Sequence, residues 1–304
     1  MAAAYDVSGR TVLITGAARG IGAECARRLA ERGASVALVG LEAEELERVA
    51  AQCGPEAAWF EADVTDRDEM DTAVDGAVER FGGIDVVMAN AGIGGGGPVR
   101  HTDPAAFERV LEVNLLGVYR TVHACLPHVI DRRGYVLVVA SLAAVLHGPG
   151  MASYAASKAG AEAFADSLRL EVRHLGVDVG VGYFSWIDTE MVRGADRHPA
   201  YGGLRAKLPR AAAKTYPVSA VGDAVLDGVA RRRRFVVVPG WVRAAIALRG
   251  VLPLLIERQS LETAPELDAA FERDVAERGV EASRPVGAGG EAASRERPAP
   301  NPAG

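Results

Sequence analysis

Short, unbroken apolar runs alternate with longer stretches of helical period along most of this 304-residue chain. Thr11 to Thr15, Ser35 to Val39, Ala58 to Ala62, Ile84 to Ala89, Tyr135 to Ala140 and Asp178 to Tyr183 read as strands, and Phe235 to Val238 adds a late one. Continuous apolar runs are what strands covered on both faces require. Between them, Gly22 to Arg32, Ala43 to Gln52, Asp68 to Phe81, Ala105 to Arg132 and Ala155 to His174 carry helical patterns. Such alternation predicts an α/β, doubly wound parallel sheet in a single domain, residues 1–258. A helical extension is expected over 259–280. From about Glu281 the chain is Gly, Ala, Pro, Ser, Arg and Glu without period, which predicts a disordered tail over 281–304.

Composition narrows the function classes. Apolar residues make up 49% of the chain, enough for a large core, and the net charge of −6 gives no reason to expect nucleic acid. Cys25, Cys53 and Cys125 have neither metal nor redox spacing and fit a reducing cytoplasm. No metal site is expected. The first residues lack a basic stretch followed by an apolar one, so no secretory leader is expected.

Chemistry gathers at the ends of the predicted strands. The first strand runs into Gly16-x-x-x-Gly20-x-Gly22 and then a helix. Glycines there permit a tight turn and close backbone approach to a pyrophosphate at the positive end of the helix. The spacing differs from the common Gly-x-Gly-x-x-Gly turn, and alone it is also a plain strand-to-helix turn. Asp63-Val64 follows the third strand, where a carboxylate can accept from an adenine amino group. Asn90-Ala91-Gly92 ends the fourth, at the edge where ligands bind in such sheets.

Tyr154 and Lys158 stand one helical turn apart on one face, thirteen residues beyond Ser141. Reducing a carbonyl needs a proton donor for the developing alkoxide, and the reverse reaction needs a base. Free tyrosine is too weak a base at neutral pH, but a nearby cation favours its phenolate. Ser141 can orient the substrate oxygen. Taken singly these are an interface tyrosine, a solvated lysine and a helix cap; together, beyond a dinucleotide turn, they point to proton transfer at a carbonyl.

Over about residues 8–240 the chain resembles the short-chain dehydrogenase/reductase family. The resemblance rests on Thr15-Gly-x-x-x-Gly-x-Gly22, Asp63, Asn90-Ala-Gly92, Asn114, Ser141 and Tyr154-x-x-x-Lys158. It implies a Rossmann-like fold, an NAD(P) cofactor and interconversion of a secondary alcohol and a ketone. It implies Tyr154 as general acid/base, Ser141 as substrate anchor and Lys158 as the ribose ligand that lowers the tyrosine pKa. Asn114 would hold a proton-relay water. Gly16, Arg19, Gly20, Ile21, Gly22, Asp63, Val64, Asn90, Ala91, Gly92, Tyr154, Lys158 and Thr189 would bind the cofactor. A homo-oligomer, dimer or tetramer, follows by the same analogy. The rival reading is a cofactor-binding scaffold or sensor without turnover; an epimerase or dehydratase is a third.

Two departures bear on specificity. The family usually has Pro-Gly after the sixth strand; here Phe184-Ser185 stand there, although Thr189 keeps its place to meet a nicotinamide carboxamide. Phe184 reads either as a wall of the substrate site or as a packed loop residue. At the end of the second strand, Gly40 replaces the acid of NAD enzymes and Leu41 the arginine of NADP enzymes. Room beside Gly40 and a charge on Arg19 incline the expectation to NADP(H); Glu42 on a ribose diol, or simply opening its helix, is the alternative.

Residues 190–216 occupy the family's lid position and read as a solvated loop. Gly94 to Gly97 suggests a pliable entrance, and Arg231 to Arg234 a solvated helix end. Trp241 to Ile256 is apolar but too short and too charged to span a bilayer. It reads as a pocket cover, a subunit contact or a peripheral membrane contact; Val238-Pro239-Gly240-Trp241 followed by such a run resembles family members acting on lipophilic ketones and alcohols, which implies a hydrophobic substrate.

Overall fold

The computed structural model describes residues 5–203, 205 and 210–294. Seven strands form one sheet: β1 (Thr11–Thr15), β2 (Ser35–Gly40), β3 (Ala57–Glu61), β4 (Val86–Ala89), β5 (Tyr135–Val139), β6 (Asp178–Phe184) and β7 (Phe235–Val238). Their order is β3-β2-β1-β4-β5-β6-β7 and every pairing is parallel. The expected doubly wound sheet is therefore present. Its order turns back between β1 and β4, and that point opens a crevice above the carboxyl ends of the strands.

Strand period two decides which residues meet which helix layer. In β1 and β2, Val12, Ile14, Val36 and Leu38 face α1 (Gly20–Ala30), α2 (Ala43–Cys53) and a helix not foreseen from the sequence, Val218–Ala230. Leu13, Ala37 and Val39 face α3 (Arg67–Phe81) and the helices between β4 and β6. Val221, Val225 and Val229 are buried four apart along Val218–Ala230, a helical stripe that the sequence does display.

The stretch expected as one helix over 105–132 is three pieces. α4 (Pro104–Leu111) starts at a proline, with the Asp103 carboxylate accepting from the Ala106 amide. A π-turn spans Glu112–Leu116, and α5 (Gly117–Asp131) continues. An extra residue in the turn shifts the helix phase and places Asn114 wholly inside. α6 (Ala152–Val172) follows β5.

Beyond β6, α7 (Glu190–Arg197) and α8 (Arg210–Ala213) lie within the expected lid, and Val218–Ala230 is α9. The charge run after α9 is ion-paired: Arg231 and Arg233 to Asp227, Arg232 to Asp178, Arg234 to Asp166. α10 (Val242–Ala247) precedes α11 (Leu252–Arg278), a single helix that runs through the expected boundary at 258/259. Its Phe271 packs with Leu267 and Ala200, and stacks on His198 at 5.5 Å between ring centres. Among the described residues no helix is long and apolar enough to cross a membrane.

The expectation of a disordered tail from 281 does not hold as far as residue 294. A 3₁₀ turn over Gly279–Ser283 leads to α12 (Ala288–Ala293), with Ala282, Ser283, Gly290 and Ala293 buried. Residues 295–304 lie outside the described residues.

Close packing within the sheet is tested at Gly180. The buried Tyr135 hydroxyl donates to the Arg233 carbonyl (2.7 Å), and a Cβ at Gly180 would lie 2.1 Å from that hydroxyl and 2.2 Å from that carbonyl oxygen. Gly180→Ala is expected to cost about 1–3 kcal/mol by overpacking. A lowered denaturant midpoint with unchanged slope is the expected result; an unchanged midpoint contradicts this packing.

Candidate active site

The crevice above the β1–β4 crossover is a cleft of about 540 Å³ that receives residues from nearly every strand end. Its floor is built by backbone contact. At Gly16 (φ +65°) a Cβ would lie 2.8 Å from Ala91 Cα, and at Gly22 one would lie 2.3 Å from the Gly16 carbonyl oxygen. Only glycine fits either place. The Asn90 amide group donates to the Thr15 (2.9 Å) and Gly16 (3.2 Å) carbonyls, tying the turn after β1 to the end of β4. Gly16, Arg19, Gly20, Ile21, Asp63, Val64, Asn90, Ala91, Gly92, Ser141, Tyr154, Lys158 and Thr189 all line the cleft. Gly22 packs beneath it, and Asn114 stands behind its wall.

At one end sit Ser141, Tyr154 and Lys158. Ser141 follows β5, and its hydroxyl accepts from the Ala143 amide (3.1 Å) while hydrogen-bonding to the Tyr154 phenol. Burial pushes the phenol above its ordinary pKa, and the bond from Ser141 offsets part of that rise. Lys158 is 3% exposed; its ammonium donates to the Val139 carbonyl (2.9 Å) and lies 5.9 Å from the Tyr154 ring centre. Burial pushes its pKa down to about 8, so at neutral pH it remains a cation in a nearly closed site. Gly92 makes room: a Cβ there would come within 3.2 Å of both Lys158 Nζ and Asn114 Oδ1.

Three hydrogen bonds hold the Asn114 side chain. Its Oδ1 accepts from the Ile93 amide (2.8 Å), and its Nδ2 donates to the Ile93 carbonyl (2.9 Å) and the Ser157 hydroxyl (3.1 Å). The side chain thus fixes the loop after β4 against α6.

At the other end, Arg19 is held between two carboxylates, donating to Glu42 through two nitrogens and to Glu190 at 2.9 Å. Glu190 is a cleft residue that sequence reasoning missed. Asp63 accepts from the Thr65 amide and hydroxyl (both 2.8 Å) and from Arg109 (3.0 Å). Burial alone would push its carboxyl up; those bonds and the Arg109 charge outweigh it and hold the carboxyl below the usual range. Phe184 is the last residue of β6 rather than a loop residue; it packs in the core and also lines the cleft. Residues Val286, Gly289, Gly290 and Ala293 also line it, although no periodic signal marks them. Their trace in the sequence is Gly94 to Gly97. This run is a packing surface for the C-terminal segment and α11: a Cβ at Gly95 would meet Pro285 at 2.8 Å and one at Gly97 would meet Phe271 at 2.6 Å.

These features fit a dinucleotide. The glycine floor is a cradle that a side chain would fill, and the buried Ser185 hydroxyl in the cleft wall has no hydrogen-bond partner among the described residues. The ammonium of Lys158 suits ribose hydroxyls, and Thr189 beside Gly20 suits a carboxamide or phosphate oxygen.

Residues 10–200 match the short chain dehydrogenase family. Over 83% of this chain and 74% of its own length, the 11-beta-hydroxysteroid dehydrogenase 1A of Arabidopsis thaliana is 31% identical. The cis-4-hydroxycyclohexanecarboxylate dehydrogenase of Sinomonas cyclohexanicum is 36% identical over 61% of this chain and 76% of that protein. A crystal structure of 3-ketoacyl-(acyl-carrier-protein) reductase from Brucella melitensis, complexed with NADH, superposes with a TM-score of 0.68 at 26% identity, covering 76% of this chain and 97% of that one.

The buried amine has a measurable consequence. Between pH about 8 and 10.5 the unfolded chain would carry a proton on Lys158 that the folded chain lacks, so folding stability from this residue rises with pH across that interval. Relative to Lys158→Met, the wild-type midpoint should climb over that range. A constant difference would contradict a buried amine that titrates near 8.

Proposed function

Because this chain belongs to the short-chain dehydrogenase/reductase family, we propose that it is an NAD(P)-dependent oxidoreductase in which Tyr154 transfers the proton between a secondary alcohol and a ketone. The observation that carries this reading is the Ser141–Tyr154–Lys158 cluster at the inner end of a glycine-floored cleft. A bound nicotinamide would supply or accept the hydride. In reduction the Tyr154 phenol gives its proton to the alkoxide oxygen, and in oxidation its phenolate takes the alcohol proton. Ser141 holds the substrate oxygen against Tyr154. The Lys158 cation, itself buried, lowers the cost of the phenolate. Asn114 acts indirectly, by fixing Ile93 and Ser157 around that cation.

The substrate end supports a lipophilic molecule. Ile93, Phe184, Met191 and Val192 present apolar surface to the cleft. The named activities of two relatives, on a hydroxysteroid and a hydroxycyclohexane acid, support a ring-borne alcohol as the class.

For the cofactor, the ion pairs of Arg19 support NAD(H) over the NADP(H) to which the sequence inclines. A 2′-phosphate would have to displace Glu42 from Arg19 and then face both Glu42 and Glu190. Glu42→Gln should therefore shift the ratio of NADPH to NADH affinity toward NADPH by about tenfold, since it frees the guanidinium and removes a charge. Titration of both cofactors by fluorescence reads this directly, and an unchanged ratio removes Glu42 from the selection.

Tyr154→Phe should lower turnover by about 10²–10⁴-fold while leaving cofactor affinity within about twofold of wild type. Retained turnover would refute the assignment of the proton to Tyr154. Wild-type cofactor binding without turnover on any cyclic ketone would instead favour a sensor.

A further inference from the structure

The C-terminal segment reaches the cleft from beyond the family-matched region, which ends at residue 200. It is seated by backbone contacts that several glycines make possible. The Val286 amide donates to the Gly94 carbonyl at 2.7 Å, and a Cβ at Gly95 would press on Pro285 Cα at 2.8 Å. A Cβ at Gly194 on α7 would lie 2.8 Å from the Gly287 nitrogen, and one at Gly287 (φ +79°) would lie 2.8 Å from the Glu190 carbonyl oxygen. Contacts this close at successive positions require glycine on both sides, so the segment is docked by design of the surface beneath it.

One side chain links this segment to the adenine end of the cleft. Arg109, on α4, donates Nη2 to Asp63 (3.0 Å), Nη1 to the Thr65 hydroxyl (2.9 Å) and Nε to the Ala293 carbonyl (2.9 Å). The rigid guanidinium fork suits simultaneous donation in several directions, which no lysine reproduces. Val286, Gly289, Gly290 and Ala293 then stand in the same wall as Asp63 and Arg19.

We propose that residues Pro285–Ala293 are a strap closing the outer side of the cofactor site, and that Arg109 is the positioning residue that latches it to Asp63. This rests on the cleft being the dinucleotide site. A cofactor seated beneath the strap leaves only after the Arg109–Ala293 bond and the Val286–Gly94 bond open. Latch and strap therefore act on the dissociation rate.

The test is stopped-flow release of NADH (or NADPH, whichever the wild type binds more tightly) from the full-length chain, from Arg109→Ala and from Gly95→Val. The two substitutions loosen opposite ends of the strap, so either one decides if the other does not fold. Release is expected to quicken by about tenfold or more in each. Arg109→Lys should fall between Arg109→Ala and wild type. Hydrogen exchange adds a readout that a purely structural arginine would not move: amides of 286–293 should gain protection on cofactor binding in the wild type and not in Arg109→Ala. Wild-type release from either variant, at a wild-type melting temperature, would overturn the strap. A wild-type protein that takes neither NADH nor NADPH would overturn the dinucleotide reading beneath it.

Discussion

Gly16 and Ala91 meet backbone to backbone where β1 and β4 part, and the site is organised around that contact. It permits no Cβ at Gly16, and the Asn90 side chain bridges it by bonding to two carbonyls of the turn. The turn after β1 and the loop after β4 are thereby one rigid floor. On the other side of that loop, Ile93 is bonded to Asn114, and Asn114 to Ser157 of α6. The helix that carries Tyr154 and Lys158 is thus referenced through four links to the glycine turn. Distances in the active cluster follow from this chain of short contacts.

Charge in the cleft follows the same logic of neighbours. Lys158 is a buried cation beside Tyr154, bonded to the Val139 carbonyl, with a pKa pushed down to about 8 by burial. At the opposite end Arg19 and Arg109 are each engaged by carboxylates or carbonyls, so neither presents a bare positive charge. A ligand with a neutral ribose edge meets a satisfied surface there, whereas an added phosphate must compete with existing pairs. The same arginine that fixes Asp63 also fixes the end of α12, which ties that end of the cleft to a segment far along the chain.

Much of this was legible in the sequence. Apolar runs located the strands because a sheet covered on both faces admits few polar residues, and the glycine turn, Asn90-Ala91-Gly92 and Ser141 sit where those runs end, with Tyr154 and Lys158 on the helix that follows. The π-turn at Asn114 was not legible, since no glycine or proline interrupts Glu112–Leu116. The strap was missed for a different reason. Its burial depends on a backbone hydrogen bond to Gly94 and on backbone meeting backbone at Gly95, Gly194 and Gly287, so it has no side-chain period to detect, and its composition looks like a solvated tail. The pairing of Arg19 with Glu42 was equally hidden, because it depends on where two loops meet in space.

A crystal structure of the protein grown with NADH tests the arrangement most directly. The nicotinamide ring is expected beside Tyr154 and Ser141, its ribose hydroxyls on Lys158, the pyrophosphate over the Gly16–Gly22 turn and the adenine near Asp63 and Val64, beneath Pro285–Ala293. A cofactor bound in the reverse sense, or outside the cleft with Tyr154 facing no nicotinamide, would contradict it.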